Sequence, residues 1–135
     1  MTPRTVDPAP LTGSWINFDT TATGIRLVDA EVDGGRLMLR ITERGAPETA
    51  REALTDGPVT GAALPAVPLA DSVDATTAVA FLAEGPLGSR RAILCGYLNR
   101  GLLTLDVHTV HTGDARMPNL MYRAHFHRPE GADPR

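Results

Sequence analysis

The chain has 135 residues, of which 42% are hydrophobic and 21% charged, with a net charge of −3. That length fits one domain with a true core, and the hydrophobic share excludes wholesale disorder. There is no basic surplus to hold a phosphate backbone, so no nucleic-acid partner is expected. No apolar run approaches membrane-helix length, and Met1-Thr2-Pro3-Arg4 opens no apolar signal segment. A soluble cytoplasmic protein with no membrane partner is therefore expected.

Residues 1–10 carry Pro3, Pro8 and Pro10 and read as a flexible arm, as does the tail 129–135. The domain between them, residues 11–128, reads as short strands and turns. Leu11–Phe18 and Gly24–Val32 are the first strands, and Asp33-Gly34-Gly35 is a strong hairpin signal before Arg36–Thr42. Ala46–Leu54 has a proline near its start and helix formers behind it, which predicts one short helix. Glycine, alanine and proline interrupt residues 57–75, where one or two short edge strands are expected around Val59–Leu64 and Val67–Leu69. Ala78–Ala83, Arg90–Leu98, Leu102–His111 and Leu120–His127 complete the series, with turns at Gly85–Gly88 and Asn99–Gly101. The expectation is an all-β fold: a single antiparallel up-and-down barrel of about seven to eight strands with one short helix.

Residues that face each other across a hairpin share a sheet face. A two-residue turn at Gly34-Gly35 puts Val28, Ala30 and Val32 with Leu37, Leu39 and Ile41. The same rule at Asn99–Gly101 groups Ala92, Leu94, Gly96 and Leu98 with Leu103, Leu105, Val107 and Thr109. The next hairpin adds Leu120, Tyr122, Ala124 and Phe126. The opposite face is charged or mixed. There the register sets Asp106 against His125 and His108 against Arg123, a candidate acid–base dyad or an exposed charge pair. By the same parity, Arg26 and His111 point inward near a strand end.

Leu11-Thr12-Gly13-Ser14-Trp15-Ile16-Asn17 resembles the opening strand of the calycins, which include lipocalins, fatty-acid-binding proteins and avidins. The longer pattern through Asp19, Gly24-Ile25 and Asp33-Gly34-Gly35 is similar to small actinobacterial calycin-like proteins. The resemblance implies a barrel whose floor is closed by Trp15. It also implies a late-strand arginine over that ring, for which Arg123 is the nearest choice. With a single tryptophan, the avidin biotin site is not implied.

The chemistry is narrowed by absences. All 13 basic residues are arginine, which excludes Schiff-base and P-loop lysines. Cys95 is the only cysteine, so neither an intrachain disulfide nor a four-thiolate zinc site can form, and it reads as packing. His125 and His127 share a strand face but are followed by Pro129, and no metal or other cofactor is expected. The favoured function is a small enzyme of secondary metabolism that cyclises or isomerises an apolar or polycyclic substrate. Arg26, His111 and Tyr122 are its candidate catalytic residues. Trp15, Asn17, Leu39, Leu94, Leu105 and Phe126 are the candidate ligand contacts. The alternative is a non-catalytic carrier or sensor of a small apolar ligand. A homodimer through Ile93, Cys95, Tyr97 and Met121 is a further expectation.

Overall fold

The computed structural model describes residues 5–19, 21, 24–44, 59–88, 90–111 and 119–129. The segment Ala46–Leu54, expected to form a helix, lies outside them. Eight strands follow one another in chain order: β1 Gly13–Asn17, β2 Gly24–Asp33, β3 Arg36–Arg44, β4 Val59–Leu69, β5 Ala80–Leu87, β6 Arg90–Asn99, β7 Leu102–His111 and β8 Leu120–His127. Each pairs antiparallel with its neighbours, and β8 returns to β1, so the sheet closes into an up-and-down barrel. The expected all-β barrel is present, and its architecture is consistent with the calycin-like fold. Among the described residues the only helical element is a single turn, Ala9–Leu11, and no helix is long and apolar enough to cross a membrane.

Two-residue turns set the register. Gly34 and Gly35 both have positive φ, which a tight hairpin between twisted strands requires, and Val28, Ala30 and Val32 pair with Ile41, Leu39 and Leu37. Arg100 and Gly101 do the same between β6 and β7, so Leu94 meets Val107 and Gly96 meets Leu105. The inward rows follow the expected parity. Across β7 and β8, however, the ladder is slid by two residues from the expected pairs: Asp106 faces Arg123, Thr104 faces His125 and His108 faces Met121. A slide of two leaves every side chain on its own face and changes only its partner.

Of the one or two short edge strands expected in the region 59–69, the structure has one long strand, paired on both flanks. Its β3 ladder runs from Val59 to Ala66 and its β5 ladder from Ala66 to Leu69. Pro65 precedes the second ladder and Pro68 follows the first, so each proline sits where one flank of the strand needs no donor. β5 likewise runs through Pro86 to Leu87, past the turn expected at Gly85.

The floor is the end where β1 begins. Trp15 is buried there and its indole N–H donates to the Leu11 carbonyl at 2.9 Å. Arg128 lies over the ring, its guanidinium carbon 4.1 Å from the ring centroid. The same guanidinium donates to the carbonyls of Thr12 at 2.8 Å and Pro10 at 2.9 Å. Arg128 thus takes the place expected of Arg123, which points outward and is ion-paired with Asp106 at 2.7 Å. Gly13 explains the first half of the motif: at φ 110°, a Cβ there would stand 2.7 Å from the Arg128 guanidinium. Residues 5–11 are tied down rather than loose, with Asp7 bridged to Thr77 and Leu11 buried.

Above the floor the interior is filled. Phe81 and Phe126 are buried, and a Cβ at Gly96, the ladder partner of Phe81, would meet the Phe81 ring at 2.4 Å. Gly96→Ala should therefore lower stability by about 1–3 kcal/mol, read by urea denaturation. Adding Phe81→Leu should restore part of that loss. An unchanged midpoint for the single variant would mean the ring yields freely.

Candidate functional site

Leu39, Leu94, Leu105 and Phe126 show no exposed surface, and Trp15 shows 1%. Side chains with no accessible area border no water-sized void. These residues, chosen from sequence as ligand contacts, are packed core. A ligand reaching them would have to displace their neighbours.

Polar chemistry enters at the opposite end from Trp15, where β3 ends and β6 begins. The inward row Leu37, Leu39, Ile41 continues to Glu43, and the row of Ala92 extends back to Arg90. The two strands are not neighbours in the barrel order, so the Arg90 guanidinium crosses the interior to meet the Glu43 carboxylate. Their side chains keep 10% and 9% of their surface. Two charges so far from water persist only as a pair.

β7 brings two more groups to the same level. His111 faces Arg90 in the ladder, and Thr109 faces Ala92 on one side and Leu120 on the other. Thr109 Oγ1 and His111 Nε2 are both buried, and neither has a hydrogen-bond partner among the described residues. The main chain of His111 is fixed separately, its N–H donating to Asn119 Oδ1 at 2.9 Å.

Tyr122 supplies the fifth group and also closes a seam. β1 stops at Asn17 and pairs with β8 only at Ile16 and Asn17, so the start of β2 loses its strand neighbour. Side chains replace it. The Ile25 N–H donates to Tyr122 Oη at 3.1 Å, and Asn17 Nδ2 donates to the Ile25 carbonyl at 3.0 Å. Gly24 is required at this point, because at φ 93° a Cβ would lie 2.6 Å from Tyr122 Oη. Burial pushes the Tyr122 phenol above its ordinary value, the Ile25 N–H pulls it back, and Glu43 and Arg90 act in opposite directions. Asn17 and Tyr122, picked as ligand contact and catalyst, therefore also serve as backbone partners.

Arg26 is placed differently from its expected parity. β2 has a bulge between Ile25 and Leu27, with Ile25 facing Glu43 and Leu27 facing Thr42. The extra residue gives the inward position to Ile25, which is fully buried, while Arg26 sits half-buried in the bulge with its Nε covered. The structure thus unites His111 and Tyr122 with Glu43, Arg90 and Thr109. The last three are absent from the sequence-based choice. Glu43 and Arg90 lie two residues beyond the ends of the inward rows, and extending the parity by one step finds both.

The outer histidines form no comparable site. His125 Nδ1 lies 3.2 Å from Thr104 Oγ1, and His127 Nδ1 lies 2.7 Å from the Arg128 carbonyl. Arg123 holds the Asp106 carboxyl below its usual range, so the Asp106 partner is Arg123 in an exposed ion pair rather than His125, the partner set by the expected register. Among the described residues no three His, Cys, Asp or Glu side chains converge on a metal position. A groove of about 980 Å³ runs along the outside, between residues 5–9 and the outer edges of β2 to β5, with Val32, Val67 and Leu82 in its wall. Ile93, Tyr97 and Met121 are exposed on the outer face and Cys95 is half-buried. Comparisons with protein-family models, curated proteins and solved structures find no match to this chain.

Removing one partner of the buried ion pair should cost about 3–5 kcal/mol, since it strands the other charge. Glu43→Leu alone is expected to melt far below the wild type, and Glu43→Leu with Arg90→Leu to recover most of the loss. If the double variant were no better than the single, the pair would not be the source. Tyr122 gives a pH test. Unfolded tyrosine titrates near pH 10 and the folded group higher. Its contribution to stability is intact below about pH 10 and is lost as pH rises through the folded value. Absorbance titration should show a late phenolate step that Tyr122→Phe removes.

Proposed function

We propose that the protein binds a small, largely apolar molecule at this mouth and catalyses its isomerisation or cyclisation there. The observation that carries the reading is the convergence of Glu43, Arg90, Thr109, His111 and Tyr122 at one end of an otherwise apolar interior. A simple carrier of an aliphatic ligand has no use for a buried ion pair and two buried polar atoms without partners among the described residues. An enzyme does, because preorganised dipoles in a dry site stabilise charge that develops during reaction. In this reading Tyr122, kept protonated by burial, is a hydrogen-bond donor, and His111 exchanges a proton with the substrate. The Glu43–Arg90 pair orients the bound molecule. The resemblance of residues 11–42 to calycins supports a small-molecule ligand and adds nothing about its identity.

The second reading is a non-catalytic carrier or sensor. It is favoured by one fact: Tyr122 Oη and Asn17 Nδ2 are already engaged by Ile25.

Isomerisation and cyclisation conserve mass, which separates the two readings. In a screen of polyenes and enones, an enzyme returns at least one compound with unchanged mass and altered chromatographic retention. That conversion is lost in His111→Ala and Tyr122→Phe. A carrier returns every compound unaltered. Binding is tested independently with anilinonaphthalene sulfonate, whose fluorescence should rise saturably and respond to Glu43→Leu/Arg90→Leu. No saturable binding would sink both readings.

A further inference from the structure

The outer face of the barrel is not uniform. Across β2 and β3 it is charged, with Asp29 against Arg40 in the ladder and Glu31 paired with Arg40 at 2.7 Å. Across β4, β5 and β6 it is apolar. Val67 pairs with Leu82 and Leu82 with Cys95, while Leu69 and Tyr97 both pair with Ala80. Ile93 stands two residues from Cys95 and so shares its face. Val67, Leu69, Leu82, Ile93 and Tyr97 are each at least 39% exposed, and Cys95 is half-buried. Together these side chains leave on the order of 400 Å² of apolar surface in water, the size of the largest patch on a typical monomer. Val67 and Leu82 also stand in the wall of the outer groove, so the strip runs on into a recess.

We infer that this strip is the contact between two copies of the chain, which associate face to face as a symmetric dimer. A stable dimer contact takes roughly 800 Å² from each copy, with an apolar centre and a polar rim. The strip supplies about half of that area as its centre. Its flanks supply the rim. Glu84 faces Ile93 in the ladder and is paired with Arg91 at 2.8 Å. Asp106 faces Cys95 and is paired with Arg123 at 2.7 Å. Each flank therefore offers one acid and one base, already joined within the chain. A second copy brings the same balance, so two strips meet without like-charge repulsion, whereas a strongly charged partner finds no counterpart there. Met121, the outermost residue of the face expected from sequence, lies beyond His108 and falls outside the strip. The strip is on the side wall, so pairing leaves the mouth open, and the inference stands independently of what binds there.

The test is sedimentation velocity on the full chain, from low to high micromolar concentration. A reversible monomer–dimer equilibrium is expected. Leu82→Asp and Ile93→Asp each place a carboxylate in the strip, and two-fold symmetry places it there twice. Either should weaken association about a hundredfold or more, the scale of losing a central contact. Arg40→Ala, on the outer face of β3, should leave association unchanged. Both aspartates replace exposed side chains, so the melting temperatures should stay close to that of the wild type. The amide resonances of Leu82, Ile93 and Tyr97 should move with concentration in the wild type and stay fixed in Ile93→Asp.

Four outcomes overturn the inference. A chain that sediments as a monomer throughout has no such contact. A dimer that survives both aspartates uses another surface. Equal weakening by Arg40→Ala would mean the strip is not what the copies recognise. If both aspartate variants melt far below the wild type, the strip is packed within one chain and is not free to meet a second.

Discussion

A closed barrel needs every strand to pair on both flanks, and β1 is too short to do so. Its five residues leave the start of β2 and much of β8 without a strand between them. Closure is completed by side chains. Asn17 and Tyr122 take the exposed amide and carbonyl of Ile25 at one end, and Arg128 ties the chain before Trp15 at the other. Buried backbone groups left unpaired would each cost on the order of a hydrogen bond, so these few contacts determine whether the cylinder closes. The glycines at 13 and 24 follow from them, each making room for the polar head that completes the seam.

The same economy shapes the interior. Large rings and small residues alternate across facing positions, with Phe81 over Gly96 and Leu64 against Gly85. Filling the lumen stabilises the fold but removes the chamber that a barrel's outline suggests. Polar groups are then pushed to the one end where a buried charge can find an opposite charge across the lumen. The position of the candidate site is thus a consequence of packing below it.

Much of this was legible from residues alone. Hairpin parity finds the inward rows because period-two alternation survives wherever turns have two residues. It places His111 and Tyr122 together for the same reason. It fails at Arg26, because a bulge inserts one residue and no local signal marks it. The arginine over Trp15 is sought through the resemblance, which points to Arg123; parity itself sets Arg123 on the outer face, and Arg128 lies just past the strand, free of its alternation. Glu43 and Arg90 are missed because charged residues at strand ends are read as solvated. Parity carried one step further sets both inward, and the closure of β3 opposite β6 is what lets their charges meet. The slide between β7 and β8 is invisible to parity altogether, since a shift of two preserves every face.

The floor has a practical consequence. One guanidinium spans from the end of β8 to carbonyls on both sides of Leu11, so the two ends of the barrel's chain meet within the length of a side chain. A short linker could join them there without crossing the barrel. New ends could then be opened at Gly34-Gly35 or Arg100-Gly101, which lie on the same floor side. Every break and fusion would fall on that side, and the mouth with its five polar side chains would be left untouched. The molecule is thereby suited to circular permutation and to display on a scaffold with the Glu43–Arg90 end facing outward.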